Sequence, residues 1–169
     1  MTAIIRQLRL FLLGAWIGAA IFFAAAVAPA LFSVLRAAGL VNANELAGSV
    51  VTRLLGVINR SGFEIALFLL VTGFFVNRTR RRLAQVVEMI SLAIMAIMTV
   101  INHWVISARM QDLRRAMGGA IDQVAPSDPR HLEFASLHRY SVVVMAVALI
   151  AAVVAFVLAS RRQAIAESL

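Results

Sequence analysis

The sequence predicts an all-α fold: a polytopic membrane four-helix bundle whose helices 2, 3 and 4 extend beyond the bilayer on one side. Three observations carry this expectation. Apolar residues fill 62% of 169 positions, more than one modest water-excluded core of that size can hide. They gather into four runs, at about 10–35, 54–76, 86–107 and 141–159, each meeting or nearly meeting the roughly 20 residues that cross a hydrocarbon core of about 30 Å. Arginines rather than Gly-, Pro- or Ser-rich linkers punctuate the runs, so residues 1–169 read as a single domain.

The first run follows Arg6 and Arg9. Pro29 falls about 28 Å beyond Leu10, where it is expected to bend or end the helix. The basic start and the small residues Ala28 and Ala30 resemble a signal peptide, but the apolar part exceeds the roughly 7–15 residues of such a segment. Pro29 also occupies the cleavage window, so the run reads as a retained helix. Asn42 and Glu45 have capping-box spacing, and no proline follows before Val76, so the second helix begins outside the bilayer. The third can run from Ala84 to Met117, where Gly118 and Gly119 supply a stop. Asp128 and Pro129 then read as the N-cap and first residue of the last helix. Together the last two helices predict an extracytoplasmic hairpin at about 108–140, across which Arg109, Asp112, Arg114, Arg115, Arg130 and Glu133 can pair.

The formal charge is +8, and every basic residue is arginine. Arg6, Arg9, Arg78, Arg80, Arg81, Arg82, Arg161 and Arg162 crowd the helix ends of one face. On the other face the arginines are spread over longer segments and interleaved with acids. This density places both termini in the cytoplasm and reads the charge as a topology signal rather than a nucleic-acid footprint. The chain has no cysteine, which excludes disulfides, thiolate nucleophiles and thiolate metal sites. Gly14 with Gly18, and Ala151, Ala155 and Ala159, predict close helix packing, either within the chain or at a homodimer face.

Function is sought in the ionisable residues that depth arithmetic places inside the membrane. Counting from Val76 at 1.5 Å per residue, Glu64 lies about 18 Å and Arg60 about 24 Å in. Counting from Val87, Asn102 and His103 reach about 22 to 24 Å. With Asn59, His138 and Arg139 they are expected to form a buried polar cluster or ligand site in one half of the bundle, because intramembrane polar groups face a partner or a water-filled cavity. Three readings of Arg60 and Glu64 stay open: an internal ion pair, a site for a proton, cation or anion, or an interfacial Arg60 that snorkels. His103 and His138 could ligate haem b or copper, with Met95, Met98 and Met145 as thioether donors. Polar packing explains the same residues, and His131 reads as solvated. Ser141 near His138 lacks an orienting acid or oxyanion hole, and Gly118 with Gly119 lacks the lysine of a phosphate-binding loop.

Four segments, LFLLGAWIGAAIFFAAAVAPALFSVL, AGSVVTRLLGVINRSGF, INHWVISARMQDLR and FASLHRYSV, resemble the bacterial branch of the transmembrane-protein-205-like proteins, known as domain of unknown function 4149. The resemblance spans nearly the whole chain and implies a four-helix protein of the bacterial inner membrane with no established activity. Members often carry a proline before the arginine matched by Arg109. Ala108 stands there in this chain, so no kink is expected at that point.

The expected role is binding or scaffolding within the membrane. A haem or copper binder using His103 and His138, and a small oligomeric transporter using Arg60 and Glu64, are the alternatives. Partners are expected to be the lipid bilayer and either a second copy of the chain or another membrane protein, with no nucleic acid.

Overall fold

Four long rods, Ile4–Ala37, Ala43–Gly73, Leu83–Met117 and Pro129–Arg161, are each long and apolar enough to cross a membrane, and the chain is a multi-pass membrane protein. The computed structural model describes residues 2–76, 82–118 and 120–167. Arg78, Arg80, Arg81 and Gly119, which entered the topology and helix-stop arguments, lie outside the described residues, as do the side chains of Arg82 and Arg162. No strand occurs among the described residues.

The first rod is α1 (Thr2–Phe22), a π-helical turn (Phe23–Val27) and α2 (Ala28–Ala37). Pro29 does not end it. Its ring cannot donate to residue 25 and crowds that carbonyl, and residue 25 lies in the π turn, where the ladder is already loosened. The rod stops ten residues later in the chain's first positive-φ glycine, Gly39 at φ 69°, whose amide donates to Arg36 O at 3.0 Å. The second rod is α3 (Ala43–Val76). The third comprises α4 (Arg82–Val100), a second π segment (Ile101–Ser107) and α5 (Ala108–Met117). This irregularity arises without a proline at 108, and Ser107 Oγ donates to Asn102 O, five residues back, at 2.8 Å, a side-chain bond across the widened turn. Gly118, at φ 69°, ends α5 as its left-handed cap. The fourth rod, α6 (Pro129–Glu167), is about 58 Å long at 1.5 Å per residue, well over the hydrocarbon thickness.

Asp128 caps α6 as its spacing predicts: Oδ1 accepts the Arg130 amide at 2.8 Å, and its carbonyl accepts the Leu132 amide at 3.1 Å. The expected Asn42–Glu45 box does not form. Instead Asp122, from the segment between α5 and α6, accepts the Glu45 amide at 3.0 Å and the Asn44 side chain, capping α3 from a distance of 77 residues in sequence. A carboxylate there satisfies an orphan amide and meets the positive end of the helix.

Neighbouring rods pack in chain order, and the first closes on the fourth. The core that joins them contains Leu13, Trp16, Ala20, Leu69, Leu92, Met95 and the stripe Ala148, Ala151, Ala152 and Ala155. Small residues on α6 let the backbones approach. Gly14 likewise faces Phe156 of α6, so these small-residue motifs serve intramolecular packing, while Gly18 meets nothing within 4 Å. Gly62 makes a close fit against a ring: a Cβ there would fall 2.7 Å from Trp16 Nε1, which donates to Ile58 O at 2.8 Å. The outer faces are apolar and uncovered, as at Phe11, Phe22, Ile90, Val143 and Ile150; lipid, not water, is the solvent for them.

Candidate binding site

At the end of the bundle away from the termini, the rods splay around a pocket of about 410 Å³. Each wall is one helical face. Asn44, Gly48, Val51, Thr52 and Leu55 come from α3, Ser107, Met110, Gln111 and Arg114 from the third rod, and His131, Phe134, His138 and Ser141 from α6. These spacings of three, four and seven put each set on one side of its helix. Phe32 of α2 and the loop residues Ile121, Asp122, Val124 and Pro126 complete the lining.

Arg114 is the pocket's cation, with its side chain 18% exposed. Its guanidinium carbon lies 5.1 Å from the Phe134 ring centroid, and Nη1 stands 3.5 Å from Glu45 Oε1, longer than a tight charge-assisted bond. A Cβ on Gly48 would fall 2.5 Å from Arg114 Nη2, so the missing side chain at 48 is what lets the guanidinium lie against α3. Glu45 Oε2 accepts the Ile121 amide at 3.3 Å, and Arg36 Nε donates to Asn44 Oδ1 at 2.8 Å. The rim is thereby tied to three segments. Across the hairpin, Arg109 pairs with Glu133 at 2.8 Å and Arg130 Nη1 donates to Ala116 O at 2.7 Å, covering an open carbonyl at the C-terminal end of α5. Arg115 pairs within α5 with Asp112.

A buried polar ladder runs down from the pocket floor. Ser141 Oγ donates to Asn102 Oδ1 at 2.7 Å, and Asn102 Nδ2 donates to Asn59 Oδ1 at 3.3 Å. Ser141 is 5% exposed and both asparagines are 0% exposed. Asn59 Nδ2 ends the ladder without an acceptor. The Ser141 proton is committed to an amide oxygen rather than to a base.

The expected cluster is therefore split. Asn102 is buried as anticipated, at one level with Asn59. His138, although exposed, lines the pocket. His103 does not line it; it lies against Gly56, whose Cβ would be 3.5 Å from the ring, and stacks edge-on with Trp104 at 4.5 Å. The two histidines are thus not brought together there. Met95, Met98 and Met145 pack in the apolar core, and no group of three or more His, Cys, Asp or Glu positioned for a metal occurs among the described residues. Arg139 is exposed. Arg60 and Glu64 pair at 3.0 Å but point outward, 72% and 60% exposed; the helical face they share is the one that α3 turns away from the bundle. His131 is not simply solvated: it lines the pocket, and its Nδ1 is buried without a partner.

Sequence reasoning missed a second polar centre at the other end. Arg9 Nη2 donates to Glu88 Oε1 at 2.9 Å, with side chains 7% and 2% exposed, and Nη1 donates to Leu69 O and Thr72 Oγ1. Arg9 is therefore not a free topology charge: it is paired with Glu88 of α4. The signal was present: Arg9 continues the inward stripe of Leu13, Trp16, Ala20 and Phe23, and Glu88 that of Leu92, Met95 and Thr99, all buried.

A family profile described as "Domain of unknown function (DUF4149)" matches residues 11–118. The Phe134–Ser141 segment, part of the wider resemblance, lies outside that match, as does the α6 wall of the pocket. No curated protein and no solved structure matches.

Proposed function

The chain belongs to the family described as Domain of unknown function (DUF4149), and we propose that it is a membrane-embedded binding protein whose ligand is an amphiphile with an anionic or hydrogen-bond-accepting head. One observation carries this reading: a cavity of about 410 Å³ lined by Arg114, by polar side chains that include Gln111, Asp122, His131 and His138, and by the apolar Phe32, Val51, Leu55 and Phe134, with Arg114 only loosely paired to Glu45 at 3.5 Å. A few fixed polar groups in an apolar concavity are the usual anatomy of a small-molecule site. The guanidinium would hold the head, His131, His138 and Gln111 would orient it, and Phe32, Val51, Leu55 and Phe134 would cover the apolar body. With the termini in the cytoplasm of a bacterial inner membrane, the pocket faces outward.

Lipid extraction and mass spectrometry of gently purified protein test this. An acidic amphiphile should copurify with the native chain and be depleted in Arg114→Gln and in Thr52→Phe, which fills the cavity. Equal recovery from all three proteins would defeat the proposal. Absorbance and metal analysis of the same sample address the haem or copper alternative: a Soret band or stoichiometric copper that is lost in His138→Ala would favour it over amphiphile binding.

A further inference from the structure

Arg60 and Glu64 form a charged pair on the outside of a membrane-crossing helix. Counted from Val76, Glu64 lies about 18 Å into a hydrocarbon slab of about 30 Å; counted from Thr72, which is level with the Arg9–Glu88 pair, it lies about 12 Å in. Either datum sets it near the midplane, beyond the reach of lipid headgroups. A charge at the depth of Glu64 is costly and normally faces protein or water, yet among the described residues nothing covers it or Arg60, the side chains remaining 60% and 72% exposed.

The pair belongs to a seam. Arg53, Val57, Arg60, Glu64, Leu67 and Val71 are all exposed on α3, and their spacings alternate four and three, the repeat that suits a helix face to pack against a neighbour with a left-handed crossing. We infer that the partner on this face is a second copy of the chain, related by a twofold axis along the membrane normal. Such an axis sets α3 beside α3 at equal depth, so each Arg60 reaches the partner's Glu64 one turn away. Four charges then meet at the dimer centre, each Arg60 between its own Glu64 and the partner's, and that level of the seam is its own complement. This is the condition an isologous interface must satisfy.

The chain has no cysteine, so single cysteines report the contact directly in the full-length protein in native membranes. Val57→Cys and Leu67→Cys should give oxidant-dependent dimers of twice the chain mass, while Val147→Cys, on the exposed face of α6, should not. Adding Arg60→Glu sets four like charges together and should lower cross-linking about tenfold, the scale of a membrane-embedded polar contact. Combining Arg60→Glu with Glu64→Arg restores the pairing of opposite charges and should restore the dimer, which separates repulsion from misfolding. Absence of cross-links above the Val147→Cys level, adducts of a different mass, or cross-linking that survives Arg60→Glu would each overturn the inference.

Discussion

Among the described residues, the arginine–glutamate pairs Arg9–Glu88 and Arg60–Glu64 of the membrane-crossing part differ in nearly everything but chemistry. Arg9–Glu88 joins α1 to α4 with side chains 7% and 2% exposed, and a carbonyl and a hydroxyl of α3 take further guanidinium hydrogens. Arg60–Glu64 joins one turn of α3 to the next with side chains 72% and 60% exposed. The first pair is sealed by three rods and holds the tertiary structure. The second is bare and stays within α3. The two lie about 12 Å apart along α3, but it is neighbouring helices that seal the first and leave the second bare. A buried pair is costly to break because its survivor is left charged and desolvated, whereas a bare pair exerts its effect only when something arrives to cover it.

The sharpest way to break that contrast is Glu88→Ala. It leaves Arg9 buried without its counter-charge and should cost about 3–5 kcal/mol of stability, whereas Glu64→Ala should cost the monomer less than about 1 kcal/mol; denaturation in mixed micelles measures both. Equal losses would show that the two pairs are energetically alike. Next in size is Gly62→Ala, whose Cβ would meet a Trp16 ring only 3% exposed and unable to swing aside. Overpacking of this kind costs about 1–3 kcal/mol, read in the same assay. Gly48→Ala also inserts a Cβ, but against the flexible tip of Arg114. Its stability should change by less than about 1 kcal/mol, while displacement of the guanidinium should reduce copurified acidic amphiphile.

The smallest effect concerns pH. Hydrogen bonds from Arg130 hold the Asp128 carboxyl down at about 2, against an ordinary 3.8. A depressed acid stabilises the fold above its unfolded value and loses that contribution as the pH falls through the folded one. Protection of the first amides of α6 should therefore be constant above about pH 4 and decline toward pH 2. Asp128→Asn should flatten this dependence, as intrinsic-rate-corrected hydrogen exchange would show.

Much of the architecture was legible because it follows from local chemistry. Run length predicts the crossings, Asp128 before Pro129 predicts a helix start, and Gly118 predicts a stop, since each depends on residues adjacent in sequence. The Asn42–Glu45 box failed for the opposite reason: a carboxylate from Asp122 takes the Glu45 amide that the Asn42 side chain would have accepted, and no spacing rule anticipates a cap 77 residues away. Depth was readable too, since Asn59 and Asn102 do meet at a common level. Direction was not. Depth arithmetic gives height along an axis but no rotation about it, so Arg60 and Glu64 were expected inside when their helix turns them out. His131 was set aside as solvated because its place on a pocket wall depends on how α6 meets α3 and α5.

By itself, then, the order of residues determined that this chain crosses a lipid layer four times, where most of its helices begin and end, and at what height each polar group sits, because hydrophobic length and capping act over a few neighbouring residues. Only the packing of the rods decided which charges are sealed, which histidines line a cavity and which face of α3 is left bare. Those outcomes depend on the rotation of each helix against the others, set by Trp16 in the slot at Gly62 and the small side chains of α6, contacts between residues far apart in the chain.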